Sequence, residues 1–120
     1  MTSPHLILSS HGLKTSGNAT GSHYIVPKAH VYIDCRGTPD GEDAEEVYDW
    51  LAHEPEEFLD PIRSAVDMMP TRRKGAPDPF AEPILVCFLC AWGQNRSPSM
   101  KQAMARVLRE TYPNWIIEVK

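Results

Sequence analysis

Residues 90 to 97 read Cys-Ala-Trp-Gly-Gln-Asn-Arg-Ser. A thiol, a glycine and a guanidinium at this spacing suit one kind of chemistry, the handling of an oxyanion. Gly93 permits a backbone turn that residues with side chains resist, so successive N–H groups can face inward. Arg96 adds a forked, permanently charged donor that matches phosphate geometry. Beside the plain reading of a small buried hydrophobe at a strand end, Cys90 has two alternative parts to play. As a thiolate it can attack phosphorus, or it can lie at the floor of a cradle that only holds the anion.

Such a loop works only if regular elements hold it. The run "ILVCFL" before it is near-continuously apolar, the mark of a strand covered on both faces. After it, Met100, Ala103, Met104, Val107 and Leu108 line one face of a helix, with Lys101, Gln102, Arg106 and Arg109 on the other. The methionines read as core packing, and "YPNW" stops the helix. Ser97 reads as an N-cap, with Pro98 pre-set for the first helical turn. The helix start would favour both a bound anion and the thiolate of Cys90.

Three further strands are expected at "HLILSS", "HVYIDC" and "NWIIEV", and the polar "SGNATGSH" reads as a loop. Ala44, Val47, Tyr48 and Leu51 carry helical spacing. So do Ile62, Ala65, Val66 and Met69, behind an Asp60 cap and Pro61 at the first helical position. This alternation predicts an α/β fold, a three-layer sandwich with a small, mostly parallel sheet of about four strands flanked by helices. Ligands of such sheets collect outside the carboxyl ends of the strands. Lys14, Asp34 and Arg36 each follow a strand, so the expected ligand-binding set is these three with Cys90, Ala91, Trp92, Gly93, Gln94, Asn95, Arg96 and Ser97. The plainer reading of Lys14 and Arg36 is solvated surface charge, and of Asp34 a turn aspartate.

The chain of 120 residues, 42% of them hydrophobic, is one domain's worth of material, expected to span 1–120 with a Pro-rich loop at 69–83. Its longest apolar run is about half of what a bilayer crossing needs, and no basic segment precedes the first apolar patch, so a membrane role is not expected and a cytoplasmic location is. Three cysteines, Cys35, Cys87 and Cys90, fit reduced thiols better than a disulfide scaffold. The net charge of −4 argues against a general nucleic-acid binder, and no DNA partner is expected. That charge is unevenly spread. From Asp40 to Asp60 there are carboxylates and no Lys or Arg, whereas bases gather at Arg72, Arg73 and Lys74 and from Arg96 to Arg109. No metal or cofactor is expected: the C-x-x-C pair Cys87 and Cys90 would point to opposite faces of a strand, and His5, His11, His23, His30 and His53 are scattered.

A cysteine, five residues and Arg-Ser is the signature of the protein tyrosine phosphatase superfamily, and "GQNRSP" resembles its turn into the helix. That resemblance implies a cysteine-dependent phosphatase. Cys90 would form a phosphocysteine, Arg96 would steady the transferring group, and an acid would protonate the leaving oxygen. Asp78 in "GAPDPF" is the favoured acid, against a plain Asp-Pro turn, with Asp34, Asp60 and Glu82 as other candidates.

A second resemblance covers residues 7 to 110. The chain resembles the C-terminal domain of the RNase adapter protein RapZ family, in which a Cys-x-Gly-Gly-x-His-Arg-Ser loop follows a buried strand. "SSHGLK" looks like that family's first strand and Phe-Gly-x-Lys turn, and "YIDCRGTPD" like its Asp-x-Arg segment. Trp92 stands where the family has its first loop glycine, and Asn95 where it has a histidine. The Gly-rich loop of the family's separate nucleotide-binding domain has no counterpart, so ATP hydrolysis is not implied.

The resemblance implies binding of a phosphorylated, hydroxyl-bearing small molecule or of RNA. The leading expectation is therefore a domain that holds a phosphate-containing ligand (phosphosugar, nucleotide or RNA phosphate) without consuming it. The alternatives are the phosphatase and an RNA-binding or protein adaptor. Self-association into a homo-oligomer is compatible with the sequence.

Overall fold

The computed structural model describes residues 4–12, 28–35, 37–39, 44–68, 83–90 and 96–120. The elements within them are β1 (His5–Gly12), β2 (Val31–Asp34), α1 (Ala44–His53), α2 (Glu56–Met68), β3 (Ile84–Cys90), α3 (Arg96–Thr111) and β4 (Ile116–Val119). The strands form one sheet in the order β2-β3-β1-β4, and every pairing is parallel. The fold is a small α/β sandwich. The expected loop at 16–23 lies outside the described residues, as does the expected 69–83 loop apart from Pro83.

Register decides which side chains share a face. Leu6 pairs with Ile84 and Ile117, Leu8 with Val86 and Val119, and Val31 and Ile33 with Val86 and Phe88. In a parallel ladder, paired residues project to the same side. Most of these are buried, and they join Val47 and Leu51 of α1, Leu59 and Ile62 of α2, and the Met100, Met104 and Leu108 stripe of α3 in one core. The three helices thus cover one face. The steps β2 to β3 and β3 to β4 cross the sheet in the same direction, so right-handed connections carry their helices to the same side. On the other face Ile7, Leu85 and Leu89 are half-buried and Cys87 is fully buried.

Two helical details depart from the pattern in the sequence. The second helix begins at Glu56, not beyond Asp60: the carbonyl of Pro55 accepts the amides of Phe58 and Leu59 at 3.0 and 2.9 Å. Pro61 consequently lies inside the helix, near its start. The bond it removes would have ended on the carbonyl of Glu57, and both residues are exposed, so water can take the vacated acceptor.

Lys101 is not on the solvent face. It is only 8% exposed, and its Nζ donates to Ser10 Oγ at 3.3 Å and to the carbonyl of Lys120. Position 101 is one turn beyond Ser97 on the stripe that faces the sheet, so its stem packs while its head reaches polar partners. Burial lowers its ammonium below the usual lysine range.

Leu8 is fully buried at the heart of this core, whereas Ile116 on β4 is 53% exposed. Leu8→Ala is expected to cost about 2–5 kcal/mol in urea unfolding. Ile116→Ala is expected to stay within about 0.5 kcal/mol of the parent. Comparable losses at both positions would contradict this account of the core.

Candidate functional site

The carboxyl ends of three strands meet at one edge. Gly12, the last residue of β1, pairs with Cys90, the last of β3, and Asp34, the last of β2, pairs with Leu89. Lys14 and Arg36 follow the first two strands by two residues, and residues 91–95 follow the third. Lys14, Arg36, the whole segment Ala91, Trp92, Gly93, Gln94 and Asn95, and Asp78 lie outside the described residues. What the structure places are the strand ends from which those segments leave.

Cys90 and Ser97 bracket the loop, and they are in contact. Cys90 Sγ lies 3.0 Å from Ser97 Oγ. Ser97 is completely buried and Cys90 is 4% exposed. The helix starts at Arg96, so Ser97 sits inside its first turn rather than at the N-cap. Its hydroxyl lies against the thiol. Arg96 is exposed, at the end of α3 where the unsatisfied amides and positive pole of a 16-residue helix are concentrated.

Cys35 is a member of this edge that the motif does not name. Its amide donates to the carbonyl of Leu89 at 2.7 Å, extending the β2–β3 ladder one residue beyond Asp34. Continuing the register sets Cys35 opposite Cys90, and alternation puts both on the helix-covered face. Burial, aided by nearby Cys90 and Asp34, pushes the Cys35 thiol up to about 12, against a backbone hydrogen bond at Leu89 that lowers it. Thr38 fixes the chain as it leaves, its amide and hydroxyl both donating to the carbonyl of Cys35, at 3.2 and 2.7 Å. The alternation Val31, Ile33, Cys35 was the available signal for this residue.

Other candidates are separated from Cys90. Asp34, paired with Leu89, projects from the opposite face of the sheet. Asp60 lies 3.7 Å from Arg63 on exposed α2. Cys87 also faces the other side, where burial raises its thiol against a hydrogen bond from its register partner Ser9. Among the described residues, no group of three or more His, Cys, Asp or Glu side chains is gathered to hold a metal ion.

A hollow of roughly 490 Å³ opens elsewhere, where the end of α1 meets α2, lined by Glu46, Asp49, Glu54 and Glu57 around Trp50, His53 and Phe58. Its carboxylates would repel a phosphate. No described helix is long and apolar enough to cross a membrane. No family model, curated protein or solved structure matches this chain.

The raised Cys35 thiol has a measurable consequence. Between pH 9 and about 12 the unfolded chain loses this proton while the folded chain keeps it, so stability falls as pH rises. The expected slope is about 1 kcal/mol per pH unit in denaturant unfolding. Cys35→Ala should remove that part of the decline relative to the parent. Parallel profiles for the two proteins would show that Cys35 titrates normally.

Proposed function

We propose that this domain holds a phosphate-containing ligand, without consuming it, at the loop from Cys90 to Ser97, in the manner implied by the resemblance to the C-terminal domain of the RapZ family. The observation that carries the reading is the shared edge: strand ends Gly12, Asp34 and Cys90 lie side by side, and α3 begins immediately across the loop with Ser97 against Cys90. A helix N-terminus following a parallel strand supplies amide donors and a positive pole to an oxyanion. Arg96 adds a bidentate donor, and Lys14 and Arg36 leave the same edge in the sequence.

The ligand class is a phosphosugar, a nucleotide or an RNA phosphate. A holding role is favoured over phosphoryl transfer by the carboxylates. Asp34 projects from the far face of the sheet and Asp60 is engaged with Arg63, so neither supports protonation of a leaving group beside Cys90. Asp78, the favoured acid of a phosphatase reading, lies outside the described residues.

Titration calorimetry with inorganic phosphate tests the proposal. Binding is expected for the parent and should weaken about 10- to 100-fold in Arg96→Ala, the loss of charge-assisted hydrogen bonds worth about 1.5–3 kcal/mol. Arg96→Lys should fall between them, since it keeps charge and loses the fork. No binding to the folded parent would overturn the reading. Incubation with an aryl phosphate is expected to give no turnover; turnover abolished by Cys90→Ser would replace binding with phosphatase activity. RNA retardation that is lost at high salt and in Arg96→Ala would identify the anion as a backbone phosphate.

A further inference from the structure

The proposed binding mode gives no role to a second buried thiol at this edge, Cys35, which the β2–β3 register sets opposite Cys90. We infer that Cys35 and Cys90 form a reversible oxidation site, closing to a disulfide that disables the anion loop. This rests on the binding reading for its consequence, though not for its chemistry.

The geometry is favourable for three reasons. Adjacent strands lie about 4.8 Å apart, within the span of Cα separations that disulfides bridge. Both side chains project to the same face, because Ile33 pairs with Phe88 and alternation repeats two residues on. Both thiols belong to one packed cluster, so neither has to cross the sheet. Cys87 is the contrasting residue: it is buried on the opposite face and excluded from that cluster, and no rotation of its side chain brings it to Cys35.

The roles of the two sulfurs differ. Cys35 is held as a thiol far above neutrality, so it is not the sulfur that reacts first. Cys90, the last residue of β3 and beside the Ser97 hydroxyl, attacks the oxidant. With hydrogen peroxide, the sulfur of Cys90 takes one oxygen and becomes a sulfenic acid as one water leaves. The sulfur of Cys35 then attacks that sulfur, its proton leaves with the hydroxyl as a second water, and the S–S bond forms. Two thiols lose two electrons in total and one peroxide is reduced to two waters. The thiol of Cys90 leaves Ser97, and the strand end that opens the loop is drawn toward β2.

The test is disulfide mapping of the full chain after brief exposure to hydrogen peroxide, followed by alkylation and digestion without reductant. The expected result is an intramolecular Cys35–Cys90 crosslink in monomeric protein, with Cys87 recovered as the alkylated thiol, and reversal by dithiothreitol. A crosslink through Cys87, a crosslink between molecules, or Cys90 recovered only as sulfinic acid would each overturn the inference. The mapping needs no variant; Cys35→Ala, as a second arm, should convert the peroxide product at Cys90 into sulfenic and sulfinic acids. Inorganic phosphate titration of reduced and oxidised protein reads the consequence. Binding by the reduced form that is lost on oxidation and restored by dithiothreitol is expected, and retained binding by crosslinked protein would remove the regulatory half of the inference. Absence of binding by the reduced form fails the anion-loop reading and leaves the crosslink to be judged on the map alone.

Discussion

The parallel register of β3 between its two neighbours is the constraint on which this molecule depends. It is set by an apolar alternation that two flanking strands share: Ile84, Val86 and Phe88 face the helices together with Leu6 and Leu8 on one side and Val31 and Ile33 on the other. A slip of one residue would turn that whole set to the opposite face. The same slip would move Cys90 away from Ser97 and bring Cys87 or Leu89 toward the helices. Core packing and site geometry are thus one choice, made by burial.

Helix α3 converts that register into position along the third dimension. From Ser97 to Lys101 is one helical turn, about 6 Å of rise. Ser97 meets Cys90, and Lys101 meets Ser10, which pairs with Phe88, two residues back along the sheet and about 6.6 Å away. The helix runs against the strands in step with them. Two polar contacts at its amino end are followed by Met104 and Leu108, both fully buried, over the deeper core. An unpaired polar atom at either of the first two contacts would cost more than a lost apolar contact, so they pin the helix start more tightly than packing alone.

Much of this was legible in the sequence because local pattern and burial agree. The strand at 5–12, the strand at 84–90 with its near-continuous apolar run, and the apolar stripe of α3 follow directly from local apolar pattern and 3.6-residue spacing. Side-chain type misled where tertiary context overrode it. Pro61 reads as a helix start, yet the exposure of both Pro61 and Glu57 makes it tolerable within the helix. Lys101 reads as surface, yet two acceptors across the helix–sheet seam hold it inside. The loop was legible as a strand-to-helix junction, since both flanks carry strong signals. Alternation marks Cys35 as buried, but its place opposite residue 90 was not legible, because cross-strand register between segments 55 residues apart is written in no local window.

The distribution of charge sets a final condition on any anion at this edge. Across the interface of α1 and α3, Arg106 bridges Glu45 at 3.1 Å, lies over the ring of Tyr48 with 3.7 Å from its guanidinium carbon to the ring centroid, and comes within 3.9 Å of Glu110. On α2, Arg63 is engaged by Glu56 and Asp60. These cations offset neighbouring carboxylates and project little net positive field. With an overall charge of −4, the protein as a whole offers a phosphate no long-range attraction, and exposed charges are screened beyond about 8 Å at physiological salt. Under the proposed reading, the affinity that structure and charge can account for comes from short-range directional donors, the amides at the start of α3 and the fork of Arg96. A site built this way discriminates by the shape of the anion rather than by its charge alone, and a compact phosphate group fits that demand better than an extended polyanion spread over a basic surface.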